Sequence, residues 1–197
     1  VQVKALLNKA QSLRISMICP LHGLIWRKDI DNLIQKYAKW SAYEPEIKGV
    51  LIAYSSVYGN TQSAAEIVAN RLGEQGVKNI QMYDVSVTHP SYVVAEAFRY
   101  SHIVFATTTY NGGIFVTMEN LLLDLKAHNL QNRTVALIEN GTWAATAAGQ
   151  MKNILSSMKG MNVIANPVTL KSSVKPEKRD ELIALADAIC ETLKKRY

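Results

Sequence analysis

Residues 49–61 read Gly-Val-Leu-Ile-Ala-Tyr-Ser-Ser-Val-Tyr-Gly-Asn-Thr, an apolar run that ends in small polar residues. The apolar part does not alternate with polar side chains, which is typical of a strand buried on both faces of a parallel sheet. A helical pattern follows directly, because Ala64, Val68 and Leu72 fall on one helix face. A buried strand that leads into a helix is the repeating unit of α/β folds, so this stretch decides the fold class.

The same alternation of strand and helix continues through the rest of the chain. Further apolar runs lie at 102–107 and 134–138, and weaker strand candidates lie at 79–83 and 162–165. Two more helical stripes are formed by Met118, Leu121, Leu122 and Leu125, and by Leu182, Leu185, Ile189 and Leu193. With right-handed crossovers, these elements predict a doubly wound, five-stranded parallel sheet with helices on both faces. The expected strand order is 2-1-3-4-5, which places a ligand at the carboxyl ends of strands 1 and 3.

Residues 1–47 lack this regular pattern. They contain helical stretches at 3–12 and 29–40, and Glu44-Pro45 has the composition of a connector. We therefore expect two parts, 1–47 and 48–197, of which the second carries the α/β fold. Because the sequence begins with Val1 and not with Met, we expect a fragment of a longer chain.

Charge and cysteine content narrow the choice of partners. The net charge of +6 favours an acidic partner or ligand. No nucleic-acid partner is expected, because the basic residues are scattered and the densest run, 194–196, suits a helix C terminus. The two cysteines, Cys19 and Cys190, form no metal or disulfide framework, so a cytoplasmic location is expected. No membrane association is expected, since no apolar run reaches the ~18 residues of a membrane span.

The turn after the first strand has the chemistry of an anion site. Backbone N–H groups at a helix N terminus are unpaired and lie at the positive end of the helix dipole. Ser55, Ser56, Asn60 and Thr61 add side-chain donors, and Gly59 permits a tight turn. Simple helix capping explains these residue types equally well. A nucleoside-triphosphate P-loop and a Rossmann dinucleotide site are not expected, since neither glycine motif is present.

Two further loops carry an aromatic residue beside glycines. After the third strand, Tyr110 precedes Asn111-Gly112-Gly113, where the tyrosine could stack on a planar ring and the glycines allow close approach. After the fourth strand, the segment 139–146 contains Trp143, which is either a second ring contact or a core tryptophan. A phosphate grip and two aromatic loops on neighbouring strands together suit flavin mononucleotide (FMN).

The first loop resembles the signature of the flavodoxin family. The aromatic, hydroxyl, small, threonine and later alanine positions of that signature correspond to Tyr54, Ser56, Gly59, Thr61 and Ala65. One strand position departs from the pattern, since Ala53 is smaller than the usual residue. The resemblance implies a flavodoxin-like fold with bound FMN, which carries the electrons while the protein tunes it. The cofactor-binding residues that follow from the loop chemistry and the resemblance are Ser55, Ser56, Val57, Tyr58, Gly59, Asn60, Thr61, Thr108, Thr109, Tyr110, Asn111, Gly112, Gly113, Asn140, Gly141, Thr142 and Trp143.

The segment Cys19-Pro20-Leu21-His22-Gly23-Leu24-Ile25-Trp26-Arg27 resembles a second, narrower pattern. In flavodiiron proteins (A-type flavoproteins, reductases of NO or O2), a metallo-β-lactamase-like domain ends in a similar H-G-x-I-W-R element just before a flavodoxin-like domain. The resemblance implies that 1–47 is the C-terminal remnant of such a domain and its connector, and that 48–197 is the FMN-binding domain. It also implies that His22 is an iron ligand, but only in the full-length protein, because one histidine cannot hold a di-iron centre.

The same resemblance implies a role. FMN would take electrons from a rubredoxin-like or NAD(P)H-linked donor, such as a flavin reductase, and pass them to a di-iron centre that reduces O2 to water or NO to N2O. The full-length protein would be a head-to-tail homodimer, and the fragment alone an electron carrier with no catalytic residue of its own.

Other functions on the same fold are weighed against this one. A flavodoxin-like NAD(P)H:quinone oxidoreductase and a stand-alone flavodoxin-type carrier share the FMN loops but do not explain the segment 19–27. A phosphorylated receiver domain needs acidic residues after the first strand and an aspartate after the third, where this chain has serines and threonines. A flavin-free interaction module is disfavoured by the full set of loops.

Overall fold

The computed structural model describes residues 2–195. Its helices are α1 (Gln2–Ala10), α2 (Ile30–Ala42), α3 (Asn60–Glu74), α4 (Pro90–Arg99), α5 (Val116–Ala127), α6 (Ala147–Ser156) and α7 (Pro176–Lys195). Its strands are β1 (Ile47–Tyr54), β2 (Ile80–Asp84), β3 (Tyr100–Tyr110), β4 (Gly113–Ile114), β5 (Thr134–Asn140), β6 (Asn162–Val163) and β7 (Val168–Leu170).

The central sheet has the order β2-β1-β3-β5-β6, and each of these neighbours pairs in parallel. The predicted five-position order is therefore confirmed. Two details differ from the prediction. The last position is shared by β6 and β7, which pair with opposite ends of β5, and β4 is an extra strand antiparallel to β3. The last position is interrupted because Ala165 has a left-handed φ of 59° and Pro167 has no N–H to donate.

Both faces of the sheet are covered, which explains why its strands are continuously apolar. In β1, Leu51 and Ala53 pack into one layer with α4, α5 and α6. The alternating residues Val50 and Ile52 pack into the other layer with α3 and α7. Every β1 position from 49 to 53 is thus buried, as a doubly wound parallel sheet requires.

Strand ends differ from the sequence-based bounds where polar residues join the ladder. β3 extends through Tyr110 and pairs with β5 as far as Thr108 opposite Asn140. The polar stretch after 107, interpreted as a loop, is therefore the end of a strand, because β4 and β5 supply its hydrogen-bond partners. The helix α4, which begins after the N-cap His89, was not singled out in the sequence.

The N-terminal segment, residues 2–46, packs loosely against this domain. Neither α1 nor α2 contains a buried residue, and the main structure between them is an isolated bridge from Ile18 to Trp26. The two helices lie close to the predicted stretches 3–12 and 29–40. No helix within the described part of the chain is both long and apolar enough to cross a membrane.

A buried arginine joins this segment to the sheet domain. Arg133 is fully buried, and its guanidinium donates to the carbonyl oxygens of Tyr43 (2.9 Å), Ala97 (3.0 Å) and Phe98 (2.7 Å). Ala97 and Phe98 lie in the last turn of α4, and Tyr43 is the C-cap of α2. Carbonyls at helix C termini lack partners within the helix, so one side chain stabilises the ends of two helices.

Candidate functional site

The segments that follow β1, β3 and β5 meet at the carboxyl edge of the sheet. They enclose a cleft of about 820 Å³, called here the carboxyl-edge cleft. Its lining contains all the sequence-predicted binding residues except Ser55, Gly59 and Gly113. Four lining residues were not predicted: Ser86, Phe115, Ala144 and Ser172. The location agrees with the rule that ligands of open α/β sheets bind where the strand order reverses.

The two serines that end β1 have different surroundings. Ser55 is fully buried, and its hydroxyl lies 2.7 Å from that of Thr107 on β3. Ser55 therefore joins two strands instead of facing the cleft. Ser56 lines the cleft, and its buried hydroxyl oxygen has no hydrogen-bond partner among residues 2–195. A buried hydroxyl without a partner costs about 1–3 kcal/mol, so a hydrogen-bonding group that enters the cleft beside Ser56 would relieve that cost.

The N terminus of α3 is open to a ligand. Its N-cap residue is Gly59, with φ at 83°, and no side chain of the described residues caps this end of the helix. The alternative that Ser, Asn or Thr side chains of this turn merely cap the helix is therefore wrong. Thr61 is buried, and its hydroxyl lies 3.1 Å from the hydroxyl of Thr108. Free amides, hydroxyls and the helix dipole converge here, as in anion sites at helix N termini.

The N terminus of α6 at the same edge is already occupied by protein groups. Thr109 Oγ1 accepts hydrogen bonds from the backbone N–H groups of Thr146 (3.1 Å) and Ala147 (3.3 Å). The buried Glu139 carboxylate accepts from the N–H of Ala148 at 2.7 Å. Of the two helices that begin at this cleft, α3 is therefore the one whose amides can bind an anion.

The aromatic residues that line the cleft are Tyr58, Tyr110, Phe115 and Trp143. Tyr110 is about half exposed and meets Phe115 edge to face, with ring centroids 5.8 Å apart. Trp143 is 98% exposed, so the alternative of a core tryptophan is wrong. The two residues after Tyr110 form the hairpin turn: Asn111 and Gly112 have φ values of 48° and 70°, the pattern of a two-residue hairpin turn. Gly113 pairs with Tyr110 across this hairpin and does not line the cleft.

Ser172, which the sequence patterns did not identify, links the end of β5 to the start of α3 through its hydrogen bonds. The Asn140 side chain donates to the carbonyl of Ser172 and accepts from its N–H, each at 2.9 Å. Ser172 has a φ of 70°, and its hydroxyl accepts a long hydrogen bond of 3.4 Å from Asn60. Asn140 therefore orders the loop after β7, and Ser172 connects that loop to the start of α3. A left-handed serine carries no distinct sequence signal, because only the fold creates its contacts.

The cleft carries no formal charge of its own. No Asp, Glu, His, Lys or Arg occurs among the described residues that line it, so the net charge of +6 is not concentrated there. At the end of β1, burial raises the pKa of Tyr54, and the nearby carboxylates of Asp84 and Glu66 raise it further. Its phenol therefore stays neutral at physiological pH. An anion in the cleft would be held by neutral donors and by the dipole of α3.

The predicted iron ligand lies elsewhere. His22 is exposed and lines a separate, mostly apolar cleft between α1 and α2 in the N-terminal segment. Within residues 2–195, no cluster of three or more His, Cys, Asp or Glu side chains could hold a metal ion. A role for His22 in metal binding stays a prediction about a longer protein.

Comparisons with known proteins show what this chain is similar to. The nitric oxide reductase of Moorella thermoacetica is 28% identical over 156 residues, which cover 79% of this chain and 38% of that protein. The solved rubredoxin oxygen:oxidoreductase of Desulfovibrio gigas has a TM-score of 0.87 at 23% identity, over 98% of this chain and 48% of the other. A flavodoxin of Streptococcus pneumoniae has a TM-score of 0.64 at 21% identity, over 74% of this chain and 99% of the other.

These matches differ in how much of the other protein they cover. The chain spans less than half the length of the curated relatives that it matches, and nearly the whole of the flavodoxin. A family model described as Flavodoxin matches residues 52–194, which include all three loops of the cleft. This chain belongs to the flavodoxin family.

Proposed function

We propose that the carboxyl-edge cleft binds FMN and that the protein transfers electrons through it. The observation that carries the proposal is the contrast between two helix N termini. The amides of α6 are taken by Thr109 and Glu139, whereas α3 has no side-chain cap and lies beside the unpartnered hydroxyl of Ser56. A phosphate group supplies the acceptor oxygens that this site lacks.

The phosphate end would use neutral donors. Ser56, Asn60 and Thr61 would supply side-chain hydrogen bonds, and the first backbone amides of α3 would donate to the same phosphate. The hydroxyl contact between Thr61 and Thr108, at 3.1 Å, fixes the turn against β3 before any ligand arrives. Such preorganisation favours binding because little ordering remains to be done.

The ring end would lie between Tyr110 and Trp143. An exposed tryptophan gains hydrophobic burial and stacking when a flat, partly apolar ring covers it. Gly112, which lines the cleft, has no side chain that would block close approach of the ring edge. When bound, FMN supplies the electron-carrying chemistry, while these residues bind it, orient it and exclude water.

The direct test compares FMN with riboflavin, which has the same ring but no phosphate. Fluorescence titration of the purified protein should show FMN binding at least about 100-fold tighter than riboflavin, since two or more hydrogen bonds to a charged group contribute about 1.5–3 kcal/mol each. The double variant Asn60→Ala/Thr61→Ala should lose most of the FMN advantage and leave riboflavin affinity nearly unchanged.

A matched control removes the same side-chain types far from the loop. Asn153→Ala/Ser156→Ala alters exposed positions on α6 and should change neither affinity. Equal binding of FMN and riboflavin by the wild type would contradict the phosphate assignment. Loss of both affinities in the Asn60/Thr61 variant, together with a lower melting temperature, would indicate damage to the fold instead.

The chain is further proposed to be part of a flavodiiron reductase, with 1–47 as the end of a metallo-β-lactamase-like domain and 48–197 as the FMN domain. The support is the H-G-x-I-W-R-like segment at 22–27, the reductase relatives of more than twice this length, and the apolar residues exposed around His22. Leu21, Leu24 and Trp26 are exposed by 98%, 82% and 38%, and a preceding domain would cover them.

In that longer protein, His22 would complete a di-iron centre that reduces O2 or NO. Electrons would come from a rubredoxin-like protein or a flavin reductase, and a head-to-tail homodimer would bring the FMN of one protomer to the iron of its partner. The free cysteines, Cys19 and Cys190, are compatible with a reducing, cytoplasmic setting. The test is to add a candidate donor to the FMN-loaded protein and follow flavin bleaching. No faster bleaching with a rubredoxin or flavin reductase than without one would argue against these donors.

A quinone oxidoreductase remains the second candidate, because it shares the flavin site. Steady-state oxidation of NADH with a soluble quinone distinguishes the two. Turnover that depends on both NADH and quinone would favour the oxidoreductase, whereas flavin reduction only by a protein donor would favour the electron carrier. A stand-alone carrier is the third candidate, because the solved flavodoxin aligns over 99% of its own length, although over only 74% of this chain.

A further inference from the structure

The turn between β3 and β4 is bound to α6 through one carbonyl group. The oxygen of Gly112 accepts a hydrogen bond from Gln150 Nε2 at 2.7 Å and another from Thr146 Oγ1 at 2.9 Å. A carbonyl oxygen has two lone pairs, so both are in use. The Gly112 carbonyl is therefore directed to α6 and is not free to turn toward the cleft.

A second contact joins the same two elements a few residues away. Thr109 Oγ1, near the end of β3, accepts from the N–H groups of Thr146 and Ala147. Together with the two bonds to Gly112, this makes four hydrogen bonds between the β3–β4 hairpin and the start of α6. We call this set, made by Thr109, Gly112, Thr146, Ala147 and Gln150, the hairpin clamp.

The hairpin needs an external support because its own ladder is short. β4 contains two residues, and an isolated hairpin is at best marginally stable in water. Asn111 and Gly112 are exposed and both have positive φ, so few neighbours restrict the turn itself. The clamp supplies the restriction from α6, whose own N terminus is fixed to β5 by Glu139.

We propose that Gln150 is a positioning residue for the ring end of the carboxyl-edge cleft. Gln150 does not line the cleft and acts through Gly112, which does. By holding the Gly112 carbonyl on α6, it presents the turn to the ring in one conformation. The expected effect of Gln150 on ring binding rests on the proposed function, whereas its restriction of the turn can be measured without any flavin.

The sequence patterns predict that the turn contacts a planar ring, but they indicate no role for Gln150. The residue is the fourth of α6 and lies ten positions beyond Asn140, the last residue of β5. Its amide reaches Gly112 only because β3 and β5 are neighbours in the sheet. Thr146 occupies the N-cap position of α6, but its hydroxyl donates to the carbonyl of Gly112 in the hairpin and does not cap its own helix.

The first arm of the test uses the protein without flavin. In Gln150→Met, which keeps the length of the side chain but removes the donor, hydrogen–deuterium exchange of the amides of 111–114 should rise about fivefold, the effect of one lost hydrogen bond. Asn153→Leu, which removes an exposed amide from the same helix, is the matched control and should leave exchange at 111–114 unchanged.

The second arm measures FMN and riboflavin affinity in the same variants. Gln150→Met should weaken both ligands by the same factor, about fivefold, because the change acts on the ring that they share. The double variant Asn60→Ala/Thr61→Ala should weaken FMN binding alone. The two experiments therefore distinguish the ring end of the cleft from the phosphate end. Gln150→Glu should bind no better than Gln150→Met at pH 8 and recover toward the wild type only below about pH 4, where a protonated carboxyl can donate to Gly112.

Three outcomes would overturn the proposal or part of it. Unchanged exchange at 111–114 in Gln150→Met would mean that the glutamine does not hold the turn. Faster exchange with unaltered affinity for both ligands would mean that the turn does not position the ring. If the wild-type protein binds neither ligand, the ring assignment and the proposed function both fail, and the exchange data still decide whether Gln150 holds the turn.

Discussion

The adjacent serines at the end of β1 should respond in opposite ways to the same substitution. Ser56 has a buried hydroxyl without a partner, so Ser56→Ala removes an unsatisfied group and should stabilise the flavin-free protein by about 1 kcal/mol. For a domain of this size, that corresponds to a rise in Tm of about 2–4 °C. The same change should weaken FMN binding by about 10- to 150-fold, because a hydrogen bond to a charged group contributes about 1.5–3 kcal/mol.

Ser55→Ala is the matched partner of this experiment. The Ser55 hydroxyl is buried and lies 2.7 Å from the Thr107 hydroxyl, so its loss leaves a buried hydroxyl on β3 without that partner. The expected cost is about 1–3 kcal/mol of stability, with FMN affinity changed by less than about threefold.

Thermal unfolding of the flavin-free proteins and FMN titration measure the two quantities separately. A lower Tm of the flavin-free Ser56→Ala variant would contradict the stability prediction, because the hydroxyl would then have a stabilising partner. FMN affinity at the wild-type value in Ser56→Ala would contradict the binding prediction, because the missing partner would then not be a phosphate oxygen.

Two further predictions concern arginines that connect helices away from the cleft. Arg71 donates two hydrogen bonds to Asp187 across α3 and α7, and this contact, more than any other, lowers the pKa of the Asp187 carboxyl. Its stabilisation is therefore complete above the ordinary carboxyl pKa and is lost as pH falls through the lowered value, so the Tm difference between wild type and Asp187→Asn should be largest near pH 7 and vanish in acid. Arg133→Met should leave the carbonyls of Tyr43, Ala97 and Phe98 without their buried donor and cost more than about 3 kcal/mol of stability. Proteolysis within 2–46 should then become faster than in the rest of the chain. Equal cleavage rates in the two regions would count against this link.

The placement of the turn between β1 and α3, where we propose that a phosphate binds, could be predicted from local sequence. An unbroken apolar run at 49–54 requires burial on both faces, and the small polar residues after it can only open the next helix. Those facts depend on residues a few positions apart, where periodicity and helix-terminus chemistry act directly. The two aromatic loops could also be predicted, because each follows a run of the same kind.

The sequence could not assign roles within these loops. Ser55 and Ser56 are chemically identical neighbours, yet one bonds Thr107 and the other has no partner among the described residues. Thr109 and Asn140 were predicted to bind the cofactor, but their side chains hold α6 and Ser172. Which hydroxyl or amide stays available depends on contacts between residues 32 to 52 positions apart, and such contacts exist only after the strands pair.

The amino-acid sequence by itself determined the layer architecture and the chemistry of the turns that follow the strands. The strand order was an expectation for this fold class, and the strand pairing confirms it. Only the tertiary structure decided which helix N terminus remains open, through the capture of the α6 amides by Thr109 and Glu139. It also placed Ser172 and Gln150 beside the cleft. The physical reason is that hydrophobic periodicity is a local property of the chain, whereas the satisfaction of each polar group depends on the partners that folding brings within about 3 Å.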